Sequence, residues 1–514
     1  MQAKILWADD EIDLLKPHIL FLNEKGYDVE IVVSGSEAIE KCEENSYDVV
    51  FLDENMPGIS GLDALEKIKE ISPLTPIVMI TKSEEESIME EAIGGKIADY
   101  LIKPVNPNQI LLSLKKILEQ SKLISDKVTS RYQMEFSKIG MELNGRLDAE
   151  EWASLYKRLV NWDIEFSKAE EQGMREVFNM QLKDANNLFS RFITDNYSDW
   201  LDGDDSRPQM LHTLFKDRVF PHLKEQVYLL VIDNLRFDQY QMLKPLLAKY
   251  FVTEQEDVVY SILPTATQYA RNAFFAGLMP SEIQKKYPNL WVGELDEEGK
   301  NNFEPDLLEH QLKRLGKNIK MAYRKITNLE AGKRLLANLS QLKNNDLNVI
   351  VYNFVDMLSH ARTDMKMIRE LADDEAAYRS LTVSWYEHSP LQDILKEIAQ
   401  SGAKLIITTD HGTVKVNNTV KIVGPKETNT NLRYKVGKNL NYDAKSVFEV
   451  RKPEDIFLPK DSGADCFVFC KNNDFFVYPN NLNHYSKYYM DTFQHGGISL
   501  EEMLIPYVEL RGKK

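Results

Sequence analysis

Short apolar runs recur along this chain, several of them ending in an acidic side chain, and segments with helical periodicity separate them. Residues 1–120 contain five such runs: KILWADD, VEIVV, YDVVFLDENMP, PIVMIT and DYLIKPV. From about residue 225 the pattern returns in QVYLLVIDNLR, LNVIVYNFVDM, AKLIITTDHG and DCFVFC. Such runs are typical of buried strands, and strands that alternate with helices form parallel sheets covered on both faces. The sequence therefore predicts an α/β fold in both regions.

A segment with helical periodicity separates the two α/β regions. Between about residues 120 and 215, AEEWASLYKRLVNWDIEFSKA and MREVFNMQLKDANNLFSRFI place apolar residues three and four apart, as amphipathic helices do. The tract DGDDSRP is a turn-rich break before the next region. A chain of 514 residues is also too long for one core. We therefore expect three domains: an α/β domain at 1–120, an all-α bundle or linker at 121–215, and a second α/β domain at 216–514.

Composition excludes several classes of protein. The chain is 43% hydrophobic, and no apolar stretch approaches the roughly 20 residues that a membrane span needs. Its first residues lack the pattern of a secretory signal, and three cysteines in no metal-finger spacing agree with a reducing compartment. The net charge of −17 opposes binding to nucleic acid phosphates. We therefore expect a cytoplasmic protein without a membrane segment or a DNA-binding domain.

Polar residues follow four of the five N-terminal strands. Asp9 and Asp10 follow the first, Asp53 ends the third, Thr81 ends the fourth, and Lys103 follows the fifth. Because the carboxyl ends of parallel strands lie at one edge, these side chains should converge. Carboxylates with a backbone carbonyl suit Mg²⁺, Asp53 can attack a phosphorus centre, and the other two residues can bind phosphate oxygens. Polar strand ends are common in α/β domains, but all five in this order favour a phosphoryl-transfer site.

The motifs ADD, LDENMPGISGLD, MIT and IGGKIADYLIKP resemble the bacterial response-regulator receiver domain, which has a flavodoxin-like fold. The resemblance implies that Asp53 is the phosphoacceptor and that a sensor histidine kinase is a partner. It also implies that Asp10, Asp53 and the Asn55 carbonyl bind Mg²⁺, with Asp9 as an outer acid. Tyr100 would be the aromatic switch residue near a dimerising face.

A second set of acidic and imidazole side chains follows the apolar runs of the C-terminal region. Three strand ends and the later loop FQHGGIS supply six potential ligands: Asp233, Asp356, His360, Asp410, His411 and His495. Carboxylates and imidazoles suit Zn²⁺ or Mn²⁺, and six ligands exceed what one zinc ion needs. Two ions close together are therefore expected. The alternative for Asp356 and His360 is an ordinary helical ion pair.

A candidate nucleophile lies in the segment SILPTATQYARNAFFAGLMP, which begins extended, turns at a proline and continues as a helix. A threonine at the helix start meets the positive end of the helix dipole and can bind a metal as its alkoxide. We select Thr267 as the nucleophile, with Thr265 as the alternative. Both threonines could instead be simple helix caps. Arg271, one turn beyond Thr267, is the candidate substrate-binding residue.

Together these C-terminal residues resemble the alkaline phosphatase superfamily, and more narrowly its PglZ-type branch, over about residues 225–514. The resemblance implies two zinc ions and attack by the threonine to give a covalent phosphothreonine, which water then hydrolyses. One ion would be held by Asp233, Thr267, Asp410 and His411, and the other by Asp356, His360 and His495. The superfamily includes phosphomonoesterases, phosphodiesterases, sulfatases and mutases, so the substrate stays open.

The three segments in this order resemble PorX-like response regulators, which are associated with the type IX secretion system. On this resemblance, the leading hypothesis is a phosphodiesterase with an oligonucleotide as a candidate substrate. Phosphorylation of Asp53 would control its activity through homodimerisation. A second hypothesis is a metal-bearing scaffold whose phosphorylation regulates binding to a sigma factor or a secretion-motor component. A third is a phosphomonoesterase. The intact ligand set favours catalysis, because a scaffold has no physical need for a nucleophile beside two metals.

Overall fold

The structure is a computed structural model, and it describes residues 3–73, 75–82, 97–168, 172–294, 299–372, 374–425, 428–460 and 466–513. The chain forms two compact units, of which the first extends to Arg131 and the second contains Tyr132–Lys168 and Gln172–Lys514. Within the described ranges, no helix combines the length and the apolar character that crossing a membrane requires.

A parallel sheet forms the centre of the first unit. Its strands are β1 Lys4–Ala8, β2 Asp28–Val32, β3 Val49–Asp53, β4 Ile77–Thr81 and β5 Asp99–Ile102. The strand order is β2-β1-β3-β4-β5, and every neighbouring pair is parallel. The described helices are α1 Lys16–Glu24, α2 Gly35–Glu44 and α3 Gly61–Ile71, and α4 Pro107–Leu143 begins in this unit. The predicted flavodoxin-like sheet is therefore confirmed.

Both faces of this sheet are buried, which explains why its strands are continuous apolar runs. On one face, Leu52 belongs to a buried cluster that includes Leu65 of α3. On the other face, Phe51 belongs to a cluster that includes Leu22 of α1 and Ile110 of α4. Because adjacent residues of a strand point to opposite faces, consecutive apolar residues need helices on both sides.

Most of the secondary structure lies in the second unit. Its strands are β6 Val227–Ile232, β7 Phe251–Tyr260, β8 Met321–Ile326, β9 Leu347–Tyr352, β10 Lys404–Thr408, β11 Val414–Lys415, β12 Asn418–Val423, β13 Tyr434–Gly437, β14 Asn441–Tyr442, β15 Val447–Val450, β16 Cys466–Cys470, β17 Asp474–Val477, β18 Phe493–Gln494 and β19 Leu504–Gly512. Its α-helices are α5 Ala149–Lys168, α6 Gln172–Leu201, α7 Phe237–Leu247, α8 Thr267–Ala276, α9 Pro280–Lys286, α10 Glu304–Arg314, α11 Leu329–Ala337, α12 Phe354–Asp364, α13 Lys366–Leu371, α14 Glu375–His388, α15 Pro390–Ser401, α16 Leu482–Tyr489 and α17 Leu500–Met503.

Six of these strands form a mixed sheet in the order β7-β19-β10-β6-β9-β8. Strands β10, β6, β9 and β8 are parallel, whereas β19 is antiparallel to both β10 and β7. Every residue of β6, β9 and β10 is buried. The carboxyl ends of these three neighbouring strands therefore lie together at the edge where open α/β sheets bind ligands.

The polar stretch from Val414 to Pro459, which the sequence indicates as an insertion near the site, contains five short strands. They take part in three small sheets: β11-β18, β14-β12-β17 and β13-β16-β15. This stretch also supplies Arg433, which is fully buried and pairs with Glu502 at 2.6 Å. The described residues of this stretch therefore belong to the second unit.

Helices α5 and α6 belong to the same compact unit as the mixed sheet, although the sequence suggests a separate bundle or linker. Tyr132, in the part of α4 within this unit, packs edge-on against Phe166 of α5 and Phe178 of α6. Tyr260, at the end of β7, donates a hydrogen bond to the Ala149 carbonyl at 2.7 Å. The difference arises because amphipathic periodicity reveals an apolar helix face but not the core that this face joins.

Candidate functional site

The carboxyl edge of the first sheet brings together the acidic residues and the lysine that the sequence predicts there. Lys103 Nζ lies 2.8 Å from Asp9 Oδ2 and 3.0 Å from Asp53 Oδ2. Asp9 and Asp53 are buried, whereas Asp10 is exposed. Oxygen atoms of the three carboxylates lie within 4.8 Å of one another. One lysine faces three carboxylates, which leaves negative charge for a divalent cation.

Burial and neighbouring charges shift the pKa values at this edge. Burial raises the pKa of Asp53 against the opposing effect of Lys103. Burial lowers the pKa of Lys103, but the carboxylates of Asp9 and Asp53 outweigh this effect and the net pKa is raised. Lys103 therefore stays cationic at neutral pH and is suited to contact a phosphoryl group on Asp53.

The other predicted residues of this site lie around Asp53. Thr81 is fully buried at the end of β4, and the half-buried side chain of Tyr100 is hydrogen-bonded to it. Asn55 is exposed in the loop after β3. A side chain at Gly61 would lie 2.3 Å from the Asp53 carbonyl oxygen. The loop can therefore pack against the Asp53 backbone only because Gly61 has no side chain.

The carboxyl edge of the mixed sheet holds a second acidic cluster. Asp233 follows β6 directly, and Asp410 and His411 come shortly after β10. All three side chains are buried, and one ligand atom from each lies within 4.8 Å of the others. Because β6 and β10 are parallel neighbours, residues far apart in sequence meet at this edge.

A third cluster contains Asp356, His360 and His495, again with one ligand atom from each within 4.8 Å of the others. The sequence places Asp356 at a strand end, but β9 ends at Tyr352, and Asp356 and His360 lie one turn apart on α12. His360 Nε2 lies 3.5 Å from Asp356 Oδ2, and His495 Nε2 lies 3.7 Å from Asp356 Oδ1. The helical pair is present, but His495 extends it to a three-ligand cluster.

These two clusters of the second unit are neighbours. The rings of His411 and His495 stack with their centroids 4.3 Å apart. Asn234 donates from Nδ2 to Asp356 Oδ1 and from its backbone N–H to Asp410 Oδ1, both at 3.4 Å. Sequence reasoning missed Asn234, and the signal that could have found it is an Asp-Asn pair directly after a buried strand. The two clusters therefore form one continuous site.

Thr267 is the first residue of α8 and lies beside these clusters. Its Oγ1 is 3.1 Å from His411 Nε2. The side chain is half-buried, and α8 runs for ten residues from this point. The N-terminus of a helix carries partial positive charge, which stabilises an anionic oxygen there. The position predicted for the nucleophile therefore adjoins the predicted ligands.

Thr265, the alternative nucleophile, has a structural role instead. It is fully buried, and its Oγ1 donates to the Gly497 carbonyl at 2.9 Å and accepts from the Gly496 N–H at 3.0 Å. The interpretation of both threonines as helix caps is wrong, because the N-cap of α8 is Ala266 and no side chain caps this helix. The structure therefore favours Thr267 over Thr265.

Arg271 does not lie where a substrate could reach it. Its side chain is 1% exposed, with NH1 at 2.9 Å from Asp233 Oδ2 and Nε at 2.8 Å from Glu304 Oε1. Glu304 is equally buried and also pairs with Lys325 at 3.0 Å. The structure contradicts the substrate-binding role predicted for Arg271, because this guanidinium neutralises buried carboxylates.

Two histidines each direct one ring nitrogen to a backbone carbonyl and the other to the clusters. His495 Nδ1 lies 3.0 Å from the Thr265 carbonyl, and His411 Nδ1 lies 3.0 Å from the Gly412 carbonyl. A ring that donates from Nδ1 presents an unprotonated Nε2, the form that binds metals. Burial, together with the nearby His411, lowers the pKa of His495 to about 4. His495 is therefore neutral at pH 7.

The donor sets fit the divalent metals that the sequence predicts. Within the described residues, Asp53 Oδ1, Asp233 Oδ1 and Asp410 Oδ2 are buried and accept no hydrogen bond. A buried carboxylate oxygen without a partner is costly unless a cation binds it. The first cluster offers only oxygen donors, as Mg²⁺ prefers, whereas the other two combine carboxylates with imidazoles, as Zn²⁺ sites do. The identity of each metal stays a prediction.

Three protein-family models match consecutive parts of the chain. A model described as the response regulator receiver domain matches residues 5–115, and one described as the PorX response regulator linker domain matches 122–201. A model described as the BREX system PglZ alkaline phosphatase-like domain matches residues 214–510. The matches follow the order that the sequence motifs predict.

Individual relatives and solved structures resemble the receiver region. The transcriptional regulatory protein ResD of Bacillus subtilis is 32% identical over 120 residues, which are 23% of this chain and 50% of ResD. The alginate biosynthesis regulator AlgB of Pseudomonas syringae is 32% identical over 122 residues, 24% of this chain and 27% of AlgB. The chain thus spans half or less of these two proteins. A CheY-like receiver structure from Methanospirillum hungatei is 28% identical, with a TM-score of 0.23 and coverage of 24% of this chain and 98% of that one.

Phosphorylation should require Asp53. Incubation with acetyl phosphate and Mg²⁺ should add one phosphoryl group to the wild type, because Lys103 and the adjacent carboxylates can hold the metal and the transferring group. Mass spectrometry of the intact protein measures the addition. The Asp53→Ala variant should stay unmodified, and Asp28→Asn, at an exposed residue of β2, should be modified like the wild type. Equal modification of Asp53→Ala would remove the assignment.

The two clusters of the second unit should bind separate zinc ions. Elemental analysis should find two equivalents of zinc in the wild type and about one in each of Asp233→Asn and His495→Ala, because these residues lie in different ligand sets. His388→Ala is the control, since this exposed ring lies outside both clusters and is hydrogen-bonded to the Ser384 carbonyl of its own helix. Two equivalents in both ligand variants would show that the partition is wrong.

Proposed function

This chain belongs to the family that carries the BREX system PglZ alkaline phosphatase-like domain, and on that premise we propose that it is a phosphate ester hydrolase under the control of phosphorylation. The matching region covers more than half of its residues. With its receiver domain and PorX-type linker, the chain has the architecture of a PorX-like response regulator. The proposed reaction is phosphodiester hydrolysis, with an oligonucleotide as a candidate substrate.

The position of the Thr267 hydroxyl is the observation that carries this proposal. It lies 3.1 Å from His411 Nε2, and the His411 ring stacks on His495 of the neighbouring cluster. The hydroxyl therefore contacts one predicted ligand set, which adjoins the other through this stacked pair, and it lies at the positive end of α8. A nucleophile held in this way suits attack on a phosphorus centre. A scaffold that only binds partners would not require this arrangement.

The chain supplies a ligand set for each of two proposed zinc ions. The first set is Asp233, Thr267, Asp410 and His411, and the second is Asp356, His360 and His495. When bound, such ions stabilise charge on phosphate oxygens and favour ionised hydroxyl groups. The Thr267 oxygen forms a bond to phosphorus while the bond to the leaving alcohol breaks, and that alcohol takes up the proton. Water then cleaves the phosphothreonine, which releases the phosphate product and restores the hydroxyl.

We place the control of this reaction in the receiver domain. A sensor histidine kinase would phosphorylate Asp53, and Thr81 and Tyr100 would respond and favour a homodimer. The homodimer is the proposed active form. The proposed setting is regulation of the type IX secretion system, which the resemblance to PorX-like regulators implies. In the alternative in which the chain acts as a scaffold, the proposed binding partner is a sigma factor or a secretion-motor component.

Substitution of Thr267 should remove the hydrolytic activity. The zinc-loaded wild type should hydrolyse bis-p-nitrophenyl phosphate faster than p-nitrophenyl phosphate, and Thr267→Val should lower kcat on the order of 10³-fold because the nucleophile is lost. Thr267→Ser, which keeps a hydroxyl, should retain part of the activity. Full activity of Thr267→Val would exclude this nucleophile. Faster cleavage of the monoester would indicate a phosphomonoesterase, and no cleavage of either ester would favour the scaffold.

Phosphorylation should convert the protein from a monomer to a dimer with higher activity. A change of this kind needs only a few kcal/mol of differential interaction, which a population shift can supply. Light scattering before and after treatment with acetyl phosphate measures the mass, and esterase assays on the same samples measure the rate. Asp53→Ala is the control and should stay monomeric. Identical masses and rates in treated and untreated wild type would contradict control by assembly.

A further inference from the structure

Helix α6 presents a row of buried polar side chains to the loops that carry the candidate catalytic residues. Asn186, Ser190 and Tyr197 are each 1% exposed or less. They lie on one face of the helix, because residues four and eleven positions apart are about one and three turns apart. A buried polar side chain is costly unless it finds a hydrogen-bond partner. The partners of these three side chains therefore show what this face of the helix holds.

The hydroxyl of Tyr197 holds the segment before the nucleophile. It accepts a hydrogen bond from the backbone N–H of Leu263 at 2.8 Å, four residues before Thr267. The same segment contains Thr265, whose carbonyl oxygen lies 3.0 Å from His495 Nδ1. One tyrosine hydroxyl thus anchors the backbone that leads to the nucleophile and orients a predicted metal ligand.

Asn186 holds the segment that follows His495. Its Oδ1 accepts a hydrogen bond from the backbone N–H of Leu500 at 2.8 Å, and its Nδ2 donates to the Glu501 carboxylate at 3.0 Å. Both oxygen and nitrogen of this side-chain amide are therefore used to fix one short segment. Leu500 and Glu501 are the first two residues of α17, which begins shortly after His495.

Ser190 holds the same segment through a second residue. Its Oγ donates to Asn472 Oδ1 at 2.7 Å, and the backbone N–H of Asn472 donates to the Ile498 carbonyl at 2.8 Å. The segment also reaches the loop after β10, because the Glu502 carbonyl accepts the N–H of Gly412 at 3.0 Å. A single helix is thus hydrogen-bonded, directly or through one residue, to the segment before Thr267 and to the segment after His495.

We propose that α6 is a positioning element of the catalytic site, in which Tyr197, Asn186 and Ser190 keep the loops of Thr267 and His495 aligned with each other. This inference rests on the proposed hydrolase function and names residues outside both ligand sets that act on its rate. A displacement of about 1 Å in a catalytic group can cost about 100-fold in rate. Loss of one of these hydrogen bonds should therefore lower the rate although none of the three side chains belongs to a predicted ligand set.

Tyr197→Phe in the full-length, zinc-loaded protein tests the inference. The substitution removes one oxygen and keeps the ring, so kcat for bis-p-nitrophenyl phosphate should fall about tenfold, with KM within about twofold, because alignment rather than binding is lost. Tyr132→Phe is the matched control. Its buried hydroxyl donates to Gln181 of the same helix at 2.9 Å but touches neither catalytic loop. This control should leave kcat unchanged.

A second pair of variants tests the other end of the row. Asn186→Ala should lower kcat in the same way, whereas Asn196→Ala should not, because Asn196 Nδ2 donates to the Phe192 carbonyl within α6 itself. Thermal unfolding of all four variants shows whether a loss of kcat merely follows a loss of stability. Equal values of kcat in each test variant and its control would overturn the proposal.

Hydrogen exchange provides a measurement that does not depend on activity. The Leu263 amide should exchange faster in Tyr197→Phe than in Tyr132→Phe, because it loses its acceptor. Unchanged exchange in Tyr197→Phe would overturn the anchoring, and faster exchange with full kcat would overturn its catalytic importance. If the wild type hydrolyses neither ester, the proposed function fails, and exchange alone then decides whether the anchoring exists.

Discussion

The buried ion pair between Arg271 and Asp233 joins the helix that begins at Thr267 to the carboxyl edge of the mixed sheet. Arg271 lies one turn after Thr267 on α8, and Asp233 directly follows β6, so the pair fixes the rotation of the helix against the edge of the sheet. Loss of one partner of a buried pair typically costs about 3–5 kcal/mol, because the other charge is left unpaired. The contact that stabilises the fold thereby also turns the Thr267 hydroxyl toward His411.

The sequence correctly predicts the positions of candidate site residues that lie at the ends of buried strands. Asp9, Asp53 and Asp233 end or directly follow buried strands, and parallel strands must bring such residues to one edge. It fails for Arg271, because the partner Glu304 lies on α10, and no local pattern reveals where that helix packs. It also fails to predict β7 and β8. These are the two edge strands of the mixed sheet, and their charged side chains obscure the apolar pattern of a strand.

The helical segment shows a second limit of local patterns. Its periodicity predicts α5 and α6 correctly, but it does not reveal the partners of the polar residues on the buried face of α6, which lie 66 to 314 residues away in the chain. Asn186 contacts Leu500, and Tyr197 contacts Leu263. A domain boundary drawn at residue 216 would separate these partners, although they lie in one compact unit. The compact unit that carries the proposed hydrolase site therefore includes helices that the sequence alone assigns to a linker.

The position of β19 determines when the mixed sheet can be completed during synthesis of the chain. This strand lies between β7 and β10 and pairs with both, although it follows them by a long stretch of sequence. Contacts between distant segments slow folding, and domains generally fold in the order of their synthesis. Until β19 has left the ribosome, β7 cannot join the rest of its sheet, and the loop that carries Thr267 cannot reach its final place. The strands of the receiver sheet emerge much earlier. Each new molecule therefore completes its receiver sheet well before its mixed sheet.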